Sequence, residues 1–264
     1  MRAVAAAAAA LLFCLPAAAS AQAIQPSAFA SFQFRQHPGA RLPLDAALRD
    51  EAGRPVRLGL YFGRRPAILI LEYLHCPNLC GLVLGGTVAS LAQAHLQPGR
   101  DVEFVAISID PRETPADAAA ARDSYRKRFG GTGGDADGWH FLTGPEPEVR
   151  RIAASIGFPY RWDDRLRQYA HPAGFVVATP DGRISHYLLG LGPAPEILKA
   201  AVATAARDQV APPVHPLLLL CLGYDPQPGS VAAAVMGALR IMAVVVTLAC
   251  LLLVVRLARR PVRG

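Results

Sequence analysis

Cys76 and Cys80 stand four apart in "EYLHCPNLCG", directly behind an apolar run. Two thiols at that spacing suit three chemistries: a structural disulfide, a redox couple or a soft-metal site. At i and i+4 on a helix, two side chains share one face. Pro77 fits the first turn of such a helix, where its missing N–H costs nothing. The unpaired N–H groups of a helix N-terminus stabilise thiolates and lower thiol pKa. Cys76 and Cys80 can therefore present two thiolates side by side. A thioredoxin-type couple has two residues between its cysteines. Here there are three, which changes the strain in a bridge without forbidding one. A bridge across one helical turn closes too short a loop to constrain the unfolded chain much, so the structural disulfide ranks last.

A metal needs at least one further ligand. Soft Cu(I) prefers sulfur and imidazole, and zinc fits less well because its structural sites have four ligands. The chain has seven histidines. His37 lies in a lead segment, His95 at a helix end and His186 on a hairpin strand. His140 sits inside a predicted strand and reads as a satisfied core residue. His75 points away from Cys76 by strand alternation. His171 differs: it lies in "QYAHPAGFVV", in the loop leading into a hairpin. In a thioredoxin-like fold that loop faces the cysteine helix, which makes His171 the best third ligand.

The elements that must hold these residues follow from periodicity. "PAILILEYL" (66–74) and "DVEFVAISI" (101–109) are short continuous apolar runs, the pattern of buried central strands. "GLVLGGTVASLAQAHL" (81–96) reads as a helix. A second helix is read within "DPRETPADAAAARDSYRKRFG" (110–130), with Thr114 as N-cap, Pro115 at the first position and Asp117 at the third. "WHFLTG" (139–144) is a short strand and "EPEVRRIAASIG" (146–157) a helix. Residues 174–190 form a hairpin turning at Pro180-Asp181-Gly182, and "APEILKAAVATAARDQV" (194–210) closes the domain as an amphipathic helix. An earlier hairpin spans 44–60, turning at "DEAGR". The order predicts an α/β layered sheet with an antiparallel hairpin at one edge. Thiols at the end of the first core strand, opening the next helix, are the thioredoxin arrangement.

Both ends of the 264-residue chain are apolar. Residues 1–23 combine one arginine, an apolar stretch and "AQA", and read as a secretory signal peptide. Residues 24–42 are a mixed, Pro-containing flexible lead, 43–208 the thioredoxin-like domain and 209–232 a linker. Residues 233–257 are long enough to cross a bilayer core of roughly 30 Å. The tail 258–264 continues an arginine cluster free of acids, the mark of a cytoplasmic flank. This topology predicts a single-pass protein of the bacterial inner membrane with its domain in the periplasm. It also absorbs the formal net charge of +7: Arg2, Arg240 and the tail-side arginines 256, 259, 260 and 263 carry most of it. The exported domain is left nearly neutral, without the basic field that nucleic acid requires. Cys14 leaves with the signal and Cys250 lies within the span. Cys221, in "CLGYDPQPG", reads either as packing at the membrane surface or as an accessory thiol.

In five stretches, "YLHCPNLCG", "VAISIDPRETP", "WHFLTG", "ASIGFPY" and "YAHPAGFVVATPDGRISHYLLG", the chain resembles the Sco/SenC family. These are thioredoxin-fold copper proteins of cytochrome c oxidase assembly. The resemblance implies copper ligands at Cys76, Cys80 and His171, and an acid beside the metal loop at Asp110. It implies a metallochaperone that delivers copper to the dinuclear centre of the oxidase's copper-bearing subunit by ligand exchange, with a periplasmic copper donor as a further partner. The alternative is a thiol–disulfide reductase that keeps the acceptor cysteines reduced, using Cys76 and Cys80 without His171. Two features depart from the family pattern. The anchor is expected at the C-terminus, and Ala170 and Pro172 flank the histidine where the family often has Asp and Ser.

Overall fold

Strand β3 (Ala67–Glu72) is buried along its whole length, as its uninterrupted apolar run predicts. It pairs in parallel with β4 (Glu103–Ser108) and antiparallel with β8 (Gly174–Ala178). β5 (Trp139–Leu142) extends the sheet parallel to β4, and β9 (Ile184–Leu189) closes the other side antiparallel to β8. The order is β5-β4-β3-β8-β9, the predicted α/β sheet with its antiparallel edge hairpin. The fold is thioredoxin-like. The computed structural model describes residues 33–74, 80–130, 138–165 and 167–214, together with positions 241, 242, 245, 246 and 256.

Alternation along the strands feeds two cores, one on each face of the sheet. Leu69, Leu71, Val105, Ile107 and Val176 pack with Val149 and Ile152 of α3 (Glu146–Ser155). Ile68, Ile70, Phe104 and Val177 pack with three helices on the opposite face. These are α1 (Cys80–Gln93), α2 (Pro115–Phe129) and α4 (Pro195–Ala205). α2 starts at the predicted N-cap, Thr114, and the structure adds a capping box in which the Thr114 side chain accepts from Asp117 N–H and the Asp117 carboxylate accepts from Thr114 N–H. α1 carries Gly86 because a Cβ there would stand 2.1 Å from the Leu191 carbonyl. The helix can thus lie against the loop before α4, where the Ser90 hydroxyl donates to the Pro193 carbonyl.

Three differences from the sequence expectations stand out. The hairpin β1 (Ala47–Arg49) and β2 (Pro55–Arg57) forms as predicted, turning through Asp50–Arg54, but as a separate two-stranded sheet. A second small ribbon, β6 (Arg161–Asp163) with β7 (Gln168–Ala170), was not anticipated. The folded unit also reaches further at both ends, over Ser31–Val214. Phe34 is 8% exposed in the core, and Arg35 exchanges backbone contact with Gly157, donating to its carbonyl at 2.8 Å. Val214 is tied to the Gln36 side chain by a bond in each direction. The described part of the lead is therefore packed: burying a phenylalanine outweighs the local Pro and Gly content.

The other unit comprises Met1–Ala30 and His215–Gly264. Its five described positions are helical and their side chains exposed. Among the described residues no helix is long and apolar enough to cross a membrane. The predicted signal peptide, Cys14, Cys221 and Cys250 lie outside the described residues, as does nearly all of the span 233–257.

Candidate metal centre

In a parallel arrangement, the carboxyl ends of the strands open onto one edge of the sheet, where α/β proteins bind their ligands. β3 runs out through Tyr73 and Leu74 toward the cysteines, and β4 through Ile109 toward Asp110–Glu113. β8 is antiparallel to β3, so its beginning lies at that same edge. The register pairs Leu69 with Val176 and Ala67 with Ala178. Continued by two-residue steps, it brings Tyr73 level with Pro172, and His171 arrives beside the strand that leads to Cys76.

The contacts agree with this placement. The His171 ring lies 6.1 Å from the Tyr73 ring at 87° and stacks on Phe158 at 5.5 Å and 28°. Its Nδ1 is 2.9 Å from the Pro172 carbonyl oxygen. A carbonyl only accepts, so Nδ1 carries the proton and Nε2 is the unprotonated nitrogen. Burial lowers the pKa of this imidazole, while the bond to Pro172 acts the other way. Burial is the larger cause and the net shift is downward, which favours the neutral imidazole that a metal takes. Pro172 thus contributes through its backbone where the family often has a side-chain partner.

Residues 75–79 lie outside the described residues, so the placement of His75 and Cys76 and the shared helical face of the two thiols do too. Cys80 is the first residue of α1. Among the described residues no three His, Cys, Asp or Glu form a metal-holding group; one member of the expected set, Cys76, lies outside them. Three other histidines lie in the elements the sequence assigns them. His140 Nε2 is 3.0 Å from the Glu103 carboxylate, at the start of β4 and so at the far end of that strand from Ser108. His186 Nδ1 meets the Ser185 hydroxyl at 2.8 Å, and His95 follows α1 with φ 55°.

Asp110 is nearly buried and holds Arg112 through both carboxylate oxygens at 2.6 to 3.1 Å. The Arg112 guanidinium lies 4.5 Å over the Trp162 ring, and Trp162 meets Tyr169 at 5.2 Å. Tyr169 in turn contacts Tyr73 at 5.6 Å. The β6–β7 ribbon and the "DPRET" loop are thereby joined to the strand end. Glu113 completes the edge: its Oε2 accepts from Leu74 N–H at 2.9 Å and from the Ser108 hydroxyl. Sequence reasoning did not single out Glu113. The available signal was its position directly before the N-cap Thr114, in a loop already assigned to the site.

Solved structures share this architecture. A SCO1/SenC family lipoprotein from Bacillus anthracis aligns with a TM-score of 0.54 at 17% identity, covering 66% of this chain and 99% of the other. Arabidopsis thaliana ScoI, solved with copper bound, aligns with a TM-score of 0.50 at 21% identity, covering 66% and 98%. At these identities the likeness establishes the fold. No curated protein sequence matches the chain. The SCO1/SenC family model matches residues 41–206, a span that includes both cysteines, the "DPRETP" loop and His171, and this chain belongs to that family.

Proposed function

We propose that this protein binds copper through Cys76, Cys80 and His171 and passes it to the dinuclear copper centre of cytochrome c oxidase. The observation that carries this reading is the state of His171. Its ring is held between Phe158 and Tyr73 beside the strand leading to Cys76, its Nδ1 is tied to Pro172, and burial keeps it neutral. A thiolate pair with a neutral imidazole is a donor set that suits Cu(I). Thiol–disulfide reduction needs the two cysteines alone and gives no reason to hold an imidazole in that tautomer. Copper is cargo here, handed to the oxidase's copper-bearing subunit by exchange of ligands and received from a periplasmic donor. The copper-bound Arabidopsis relative and the lipoprotein relative support copper as the cargo and a membrane-held domain as its carrier. The anchor would be residues 233–257, with the domain in the periplasm.

The test is copper binding by the reduced, detergent-purified full chain. Wild type should take up one copper per chain. Cys76→Ser and Cys80→Ser should abolish tight binding, and His171→Ala should weaken it while leaving thiol–disulfide exchange with a small-molecule disulfide intact. Equal copper retention by all three variants would remove the site. Thiol–disulfide exchange that depends on Cys76 and Cys80, in a wild type that takes up no copper, would favour the reductase.

A further inference from the structure

Glu113 stands between the ends of β3 and β4. One oxygen, Oε2, accepts two bonds: from the backbone N–H of Leu74, two residues before Cys76, and from the hydroxyl of Ser108, the last residue of β4. A carboxylate oxygen accepting from N–H and O–H makes short, charge-assisted bonds. The support behind Glu113 is rigid. Its own N–H donates to the Asp110 carbonyl at 3.1 Å. Asp110 takes the Arg112 N–H at 2.9 Å on its carboxylate, and its own N–H donates to the Ser108 hydroxyl oxygen at 3.1 Å. On the other side Glu113 abuts the capping box of α2, and α2 is seated in the core through Ala118, Tyr125 and Phe129. The carboxylate therefore joins the start of the thiol loop to a helix that does not itself carry a thiol.

We propose that Glu113 is a positioning residue of the copper site: it fixes the backbone at Leu74, and through it the approach of Cys76 to His171. This rests on the reading of Cys76, Cys80 and His171 as copper ligands. Partners that orient metal ligands cost about 10- to 100-fold in affinity when removed, and Glu113→Ala falls in that range. The positioning comes from the accepted bonds, which the charge strengthens but which an uncharged oxygen at the same reach can still accept. Glu113→Gln keeps an oxygen at the same reach and retains affinity within a few-fold. Glu113→Asp keeps the charge but draws the oxygen back by about one carbon–carbon bond, ~1.5 Å, beyond hydrogen-bond distance. It behaves like Glu113→Ala.

The experiment uses the full chain in detergent and reads two quantities for each variant. One is Cu(I) affinity, by competition with a chromophoric chelator. The other is hydrogen exchange of the Leu74 amide in the copper-free protein. Glu113→Ala and Glu113→Asp should both speed exchange at Leu74 and weaken copper, and Glu113→Gln should leave both near wild type. Faster exchange at Leu74 with unchanged copper affinity overturns the positioning role. So does a Glu113→Asp variant that binds copper like wild type, or a Glu113→Gln variant as weak as Glu113→Ala. If wild type binds no copper, the proposed function fails, while the Leu74 exchange still reports whether Glu113 holds the loop.

Discussion

Phe158→Leu separates positioning of the copper ligand from the stability of the domain. Phe158 is 3% exposed and touches three rings: Phe34 at 5.3 Å, Tyr160 at 6.3 Å and His171 at 5.5 Å. Leucine keeps the site apolar but removes the flat surface on which the imidazole stacks. An aromatic pair contributes about 0.5–1.5 kcal/mol beyond its buried area. If the bound state loses that support for His171, copper affinity drops by about 2- to 10-fold, at 1.4 kcal/mol per factor of ten. Together with the small void left behind, unfolding becomes easier by about 1–3 kcal/mol. The control is Phe104→Leu, on the other face of the sheet, where the ring meets Trp139 at 4.8 Å and Phe141 at 6.0 Å. It should cost similar stability without weakening copper. Urea unfolding gives the first quantity and chelator competition the second. An equal loss of copper affinity in both variants, or none in Phe158→Leu, would refute the view that Phe158 orients His171.

Glu103 links stability to acid. Burial raises its pKa, but hydrogen bonds from His140 and Arg65 outweigh this, and the net value lies below the ordinary 4.5. A carboxyl depressed in the folded state stabilises fully above its unfolded value and loses that contribution as pH falls through the folded one. The gap in urea midpoint between wild type and Glu103→Gln should therefore narrow below about pH 4.5, and a gap independent of pH would contradict the ion pair's role. The proposed topology makes a separate prediction: a reporter active only in the periplasm should work when fused after Ala211, and one active only in the cytoplasm should work after Gly264. The opposite pattern would reverse the reading of both ends.

The central sheet was legible because β3 and β4 are continuous apolar runs, buried on both faces, and α2 because Thr114, Pro115 and Asp117 are a local signal that needs no tertiary partner. The β6–β7 ribbon was not. Each strand has three residues of intermediate or full exposure, too short to show a period. Its place follows from contacts distant in sequence, such as Arg112 over Trp162. The packing of Phe34 was hidden for a related reason. It depends on Gly157, whose φ of 62° and missing Cβ admit the Arg35 carbonyl, and a lone glycine after a helix announces only that the helix ends. His171 could be chosen among the histidines because topology brings the start of the hairpin to the cysteine end of β3. Its tautomer could not, because that rests on the carbonyl of Pro172.

The two halves of the proposed site are supported by different physics. The thiol side is reached through directional polar bonds, from Glu113 to Leu74 and Ser108. The imidazole side rests mainly on rings, Phe158 beneath it and Tyr73 at its edge, with a hydrogen bond to the carbonyl of its own neighbour, Pro172. Hydrogen bonds fix a distance and an angle, whereas aromatic contacts tolerate offset over a range of geometries. On the proposed reading this division suits cargo that must be given up. The backbone leading to the thiols stays fixed, and the histidine can shift within its aromatic walls as an acceptor's ligands enter. His171 would then be the ligand that yields first, and its replacement should hasten copper release more than it slows uptake.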